Sequence, residues 1–249
     1  MLCPLGRREN QVCSMPSRTP APRVNGLLGR LPSRERQRLL AHCKTVQLVL
    51  GEVLCKPGEH IRDVYFPIEG FVSLIAPVDG KASLEVGLVG DEGMLGTALI
   101  LGVDFSPLHA MVQGAGSACR INAARFSEIL SQSPKMQNTF NRYAFVMLVQ
   151  LAQTAACTRF HLVPARLARW LLMTRDRAHS DRFRVTHEFL AYMLGVRRVG
   201  ITQAAGALRA RELIRYARGH IEILDVRGLQ RVSCSCYAAE KRAFDRAFA

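Results

Sequence analysis

Apolar and polar positions divide the chain into segments of different texture. Residues 1–24 mix Pro4, Pro16, Pro20 and Pro22 with Arg7, Arg8, Arg18 and Arg23 and show no apolar period, which predicts a disordered arm. Residues 27–50 read as short helices: Pro32 and Ser33 can start one, and Leu39, Leu40 and Cys43 share a face. From residue 51 to 116 eleven glycines punctuate short apolar runs at 64–68, 71–76, 84–88 and 110–112. Short strands separated by turn glycines predict an antiparallel barrel or jelly roll, and Asp79-Gly80 between two apolar runs predicts a hairpin.

After Pro134 the step changes to three or four. Met136, Phe140, Tyr143, Met147, Leu151, Thr154 and Thr158 form one stripe about six turns long. Its near-heptad step favours pairing with a second copy through Met136, Phe140, Tyr143, Met147 and Leu151; burial within one chain is the alternative. Residues 159–177 predict a further helix with Leu162, Val163, Leu167, Trp170, Leu171 and Leu172 as its apolar face, followed by a polar loop at 179–184. Pro164 helps separate the two helices. The expected organisation is an arm at 1–24, a barrel at 25–133, a dimerisation helix at 134–158 and a C-terminal domain at 159–249, an α+β fold.

Charge changes the picture of that last domain. The 249 residues carry a formal +14, of which residues 151–249 hold +10 and residues 1–150 only +4. Of the 18 basic residues in the C-terminal part 17 are Arg, whose planar guanidinium can pair with phosphate or a guanine edge. A polyanionic partner is the natural expectation, although Arg richness also follows genome composition.

The segment at 185–208 joins that charge to a shape. Thr186 is a good N-cap, Glu188 suits the positive end of a helix, and Leu190, Met193 and Leu194 give an apolar face that Gly195 ends. A second helix follows from about Arg197, with Ile201, Ala204, Ala205 and Leu208 turned inward. Small Ala191 allows close contact, and Val196 and Ile201 lie between the helices, so the unit reads as a helix-turn-helix. Its second helix suits the DNA major groove. Arg198 and Gln203 are the expected base readers, Arg197 serves base or phosphate, and Thr202 and Arg209 lie on the outward sides. Thr186 and His187 are placed for phosphates. Two short strand-like runs around Arg218-Gly219 form a wing, with Arg215 or Arg218 towards the backbone. The competing reading is a surface helix pair with ordinarily solvated Arg.

Residues 27–240 resemble the Crp/Fnr family of bacterial transcription regulators. The resemblance rests on Gly51-Glu52, Pro57-Gly58-Glu59, Val64-Tyr65-Phe66-Pro67-Ile68 and Gly70, on the long helix, and on the helix-turn-helix with its wing. It implies a cyclic-nucleotide-binding-type jelly roll, a dimerising helix, a C-terminal winged helix and a homodimer on two-fold-related duplex DNA. It further implies RNA polymerase and an unidentified small-molecule effector as partners, without membrane association. Members that bind cyclic nucleotides use a Gly-Glu-Leu segment and an Arg followed by Ser or Thr. Here those stretches resemble Gly93-Met94-Leu95-Gly96 and Leu108-His109-Ala110, which lack the Glu and the Arg. A buried phosphate without Arg loses its charge-assisted partner, so a response to cAMP is not expected. Val199 stands where many relatives carry Glu, which removes one cytosine contact.

Eight Cys are too sparse for a disulfide framework, and no leader segment is apparent, which together predict a reducing, cytoplasmic setting. The longest uncharged stretch, residues 143–158, falls short of the ~18–20 residues of a membrane span. Cys3 and Cys13 do not match the clustered cysteines of the family's iron-sulfur branch. Cys234-x-Cys236 and Cys157 four before His161 each fall short of four zinc ligands, so no metal and no cofactor are expected. Catalysis is not expected either. His187-Glu188 has Ala191 where a zinc protease needs its second His, and Gly114-Ala115-Gly116 lacks the third glycine of a dinucleotide loop. A ligand- or redox-sensing module acting through protein partners is the alternative to a DNA-binding regulator.

Overall fold

A computed structural model describes residues 24–78 and 83–249. The expected arm at 1–24 and the Asp79-Gly80 turn lie outside the described residues, apart from Val24. The strands flanking that turn do pair antiparallel, Pro77 opposite Ser83.

Two short helices, α1 (Gly26–Gly29) and α2 (Ser33–Leu40), precede an antiparallel sheet. Its strands are β1 (Lys44–Leu48), β2 (Val53–Cys55), β3 (Asp63–Pro77), β4 (Ser83–Val89) and β5 (His109–Asn122), in the order β1-β5-β3-β4, with β2 also on β5. The described pairings leave β1 and β4 as separate edges, so the jelly-roll-like sheet is not a closed barrel. The runs at 64–68 and 71–76 belong to one strand that bends at Gly70. Gly70 has φ +78°, and a Cβ there would stand 2.2 Å from the Gly114 carbonyl oxygen, so this bend admits only glycine. Residues 44–48 form a strand rather than helix, because the exposed edge of β5 accepts their backbone.

Helix α3 (Ala123–Ser131) leads into α4 (Pro134–Phe160), started by the Ser133 hydroxyl, which accepts from the Met136 amide. Phe140 of α4 packs with Phe66 and Phe126, ring centroids 5.5 to 6.3 Å apart. Met136, Phe140, Tyr143 and Met147 are therefore buried in the core their own chain's sheet makes with α4, and Leu151 is half-buried. This corrects the dimer face expected from the stripe. The outward face carries Phe145 and Leu148, 55% and 60% exposed, with Ala152 and Ala155 continuing the step.

The C-terminal part comprises α5 (Val163–Ala178), β6 (Arg182–Arg184), α6 (His187–Leu194), α7 (Arg198–Ala210), β7 (Ile214–Ala217), β8 (His220–Ile223), α8 (Val226–Val232) and α9 (Cys236–Ala247). Pro164 sits in the first turn of α5, where its missing N–H costs nothing. Leu167, Leu171, Leu190, Ile201 and Leu208 close a second core. Helix α9, for which no apolar period was read in the sequence, packs along α4. Buried polar contacts join the two parts. The Trp170 indole donates to Glu85 Oε1 at 2.8 Å and Arg177 pairs with Glu92 at 2.8 Å, while within the C-terminal part Arg169 of α5 pairs with Glu240 of α9 at 3.1 Å.

Candidate DNA-binding surface

Local chemistry sets the angle between α6 and α7. The Thr186 hydroxyl accepts from the Phe189 amide at 3.1 Å and caps α6. Gly195, at φ +60°, ends α6 in the left-handed region, and the Val196 amide donates back to Ala191 at 3.0 Å. Two residues later α7 begins. Ile201, Ala204, Ala205 and Leu208 are buried against the core, which turns Arg198, Val199, Thr202, Gln203 and Arg209 outward, with Arg197 exposed at the N-cap. The outward face is cationic at its N-terminal end, carries an amide in the next turn, and presents the Val199 methyl groups between them.

The wing is a three-stranded sheet in the order β6-β8-β7. Its turn uses Arg218 at φ +49° and Gly219 at φ +79°, two successive left-handed residues that match the twist of a tight hairpin. Arg182 and Arg215 both pair with Glu222, at 3.0 and 2.7 Å, whereas Arg218 is exposed at the tip. The Val185 amide donates to the Gly219 carbonyl at 2.8 Å, which ties the wing to the start of α6.

His187 sits differently from the exposed phosphate contact expected of it. It is half-buried, its ring stacks on Tyr216 of β7 with centroids 4.3 Å apart, and Nδ1 lies 3.1 Å from the Thr202 hydroxyl. Burial first, and the Arg198 charge second, push its pKa down. A neutral His187 thus braces α6, α7 and the wing against one another. Tyr216, the other half of this brace, carried no signal in the sequence because a stacked pair depends on tertiary approach.

In the N-terminal domain, Met94, Leu95 and Gly96 line a common space with Leu108. That space is a cavity of about 110 Å³ lined by Leu54, Ile61, Leu74, Met94 and Leu108 together with Arg62, Asp63, Thr97 and Ser106. Met94 is fully buried and occupies the interior itself. A larger cleft of about 600 Å³ opens between the two parts, bordered by Glu92, Tyr143, Arg177, Glu240 and Lys241.

Comparison with known proteins agrees with this architecture. Residues 45–133 match the family described as the cyclic nucleotide-binding domain, and residues 165–232 match the Crp-like helix-turn-helix domain. A structure from Eubacterium rectale, assigned to the Crp/Fnr family, superposes with a TM-score of 0.66 at 17% identity, covering 83% of this chain and 96% of its own. The c-di-GMP responsive global regulator CLP of Xanthomonas campestris gives 0.65 at 19% identity, covering 78% and 100%. A CRP-family regulator from Thermus thermophilus gives 0.62 at 19%, covering 76% and 96%. The search of curated proteins returned no match. With a cyclic-nucleotide-binding-type domain ahead of the long helix and a Crp-like helix-turn-helix behind it, the chain belongs to the Crp/Fnr family of DNA-binding transcriptional regulators.

Proposed function

We propose that this regulator acts as a homodimer whose two α7 helices enter successive major grooves and whose sensor domain does not take cAMP. The observation that carries the reading is the outward face of α7: Arg197, Arg198, Val199, Thr202 and Gln203 lie together and exposed, beside the Arg218 wing. Arg198 reads guanine and Gln203 adenine, each through two hydrogen bonds, while Val199 meets a thymine methyl. Arg197, Arg209, Arg218 and the Thr186 end of α6 contact phosphates and set the register.

The outward stripe of α4 supports the dimer. Phe145, Leu148, Ala152 and Ala155 repeat at near-heptad spacing, and the small alanines permit close approach of a second copy. Such a dimer places its recognition helices on half-sites about one DNA turn apart, ~34 Å. The cavity of about 110 Å³ is well below the ~300–1,000 Å³ usual for a small-molecule site; Arg62 lines it next to Asp63, and the stretches 93–96 and 108–110 supply neither Glu nor Arg. The interdomain cleft, about 600 Å³, has the size an effector needs. RNA polymerase is the partner through which a bound dimer would change transcription in the cytoplasm. No helix among the described residues is long and apolar enough to cross a membrane.

Fluorescence anisotropy against a labelled duplex, titrated with salt, tests the reading. A dimer that neutralises six to ten phosphates loses roughly 10³–10⁵ in affinity between 50 and 200 mM salt. Salt-insensitive binding, or none at low salt, would favour action through protein partners instead.

A further inference from the structure

Two pairs of residues that lie far apart in the sequence, Cys157 with His161 and Cys234 with Cys236, meet where the long helix ends. Cys157 lies in the last turn of α4 and His161 is its C-cap residue; Cys234 lies between α8 and α9, and Cys236 opens α9. Packing of α9 on α4 brings their donor atoms within 4.8 Å of one another. The Cys157 and Cys234 sulfurs are 3.5 Å apart, and the Cys236 sulfur is 3.6 Å from His161 Nδ1. All three thiols are buried, at 2%, 7% and 3% exposure, in a small cluster separate from both domain cores.

We propose that Cys157, His161, Cys234 and Cys236 bind one zinc-type transition-metal ion in a closed, four-coordinate Cys₃His site. Zn–S bonds of ~2.3 Å and a Zn–N bond of ~2.0–2.1 Å set tetrahedral edges of roughly 3.5–3.8 Å, which matches the Cys157–Cys234 and Cys236–His161 spacings. An iron-sulfur cluster interposes several iron and sulfide atoms and holds its thiolates further apart. A disulfide needs sulfurs at ~2.05 Å and would leave a thiol and an imidazole unused. Three thiolates and a neutral imidazole on Zn²⁺ leave one net negative charge. Arg166 and Arg169, both buried, stand close enough to interact with the Cys157 and Cys234 sulfurs and balance it. Binding takes the three sulfurs as thiolates and releases to solvent whatever protons they still carry.

The site's position gives it a consequence. Residues 161 and 162 are the link between α4 and α5, and the metal ties the near end of that link to the start of α9. Arg166, one turn into α5, also donates to the carbonyl of Leu194, the last residue of α6. A loaded site therefore fixes the joint between the dimer helix and the DNA-binding domain, and metal loss loosens it.

The test measures metal on the full chain purified under reducing conditions, without DNA, so its outcome is independent of the DNA-binding reading. Elemental analysis is expected to find one zinc per chain. Cobalt substitution is expected to give the intense visible bands of a tetrahedral, thiolate-rich ion, erased by added zinc. Cys236→Ser and His161→Ala should each weaken metal affinity by more than the ~10–100-fold cost of losing an outer-shell partner, while Cys55→Ser on β2 leaves it unchanged. Wild-type protein that holds no metal and stays colourless with cobalt would overturn the proposal, as would iron with acid-labile sulfide, a Cys157–Cys234 disulfide, or full metal content in Cys236→Ser. The cobalt spectrum of the wild type decides the matter even if a variant fails to fold.

Discussion

Glu85 is a buried carboxyl at the joint between the sensor and DNA-binding domains, and its replacement by Gln gives a prediction with a definite sign. Its Oε1 accepts from the Trp170 indole at 2.8 Å and its Oε2 from the Ser73 hydroxyl at 2.7 Å. Burial pushes its pKa up from 4.5 to about 7, although the Ser73 and Trp170 hydrogen bonds and the charges of Arg177 and Arg169 pull the other way. Between those two values the unfolded chain ionises while the folded chain keeps its proton. The group's contribution is therefore fully present below about pH 4.5 and is lost as the pH rises through about 7. At about 1.4 kcal/mol per pH unit, the interval corresponds to about 3 kcal/mol. Glu85→Gln keeps an acceptor for Trp170 and a polar partner for Ser73 but cannot ionise. The variant should match the wild type near pH 4.5 and exceed it at pH 8 by up to about 3 kcal/mol, roughly 6–12 °C in Tm for a chain of this size. Thermal unfolding at both pH values, followed by fluorescence, is the assay; Trp170 is the single tryptophan of the chain and touches the group that titrates. A wild-type fluorescence transition near pH 7 should be missing in the variant. A variant less stable than wild type at pH 8, or a difference independent of pH, would show that the carboxyl is ionised in the fold and refute the reasoning.

Other perturbations separate the remaining parts. Arg198→Ala should cost about 1–3 kcal/mol on the preferred duplex and relax its specificity, whereas Arg218→Ala should weaken all duplexes alike and lower the salt slope by about 1, both read by competition binding. Phe145→Glu combined with Leu148→Glu should convert the dimer to a monomer in light scattering with little change in domain stability, because both side chains already face outward. Gly93→Ala should lower thermal stability by about 1–3 kcal/mol, since its Cβ would stand 2.1 Å from the buried Tyr143 hydroxyl.

Features written in adjacent residues were legible in the sequence, and those created by distant packing were not. The helix-turn-helix could be read because its cap, its ending glycine and its inward apolar positions all fall within 24 residues, at 185–208. The long helix was also readable, but not which neighbour each side faces. Met136 and Phe140 meet the sensor core while Phe145 and Leu148 face outward, and an apolar period does not name the surface it meets. The middle of β5 was hidden because Gly114 and Gly116 supply no apolar signal. They are glycines because a Cβ would strike the Phe71 ring at 2.4 Å and the Glu69 carbonyl oxygen at 2.2 Å. The Cys₃His set was split into two incomplete pairs for the same reason: only the docking of α9 on α4 unites them.

Selection of preferred sites from a pool of random duplexes, performed in parallel with wild type and Gln203→Ala, tests the central claim most directly. If α7 reads bases from a two-fold dimer, the wild type enriches an inverted repeat with half-sites ~10–10.5 base pairs apart, and the variant loses selectivity at one position of each half-site. Enrichment of no repeat, or the same repeat with undiminished selectivity from the variant, would contradict it.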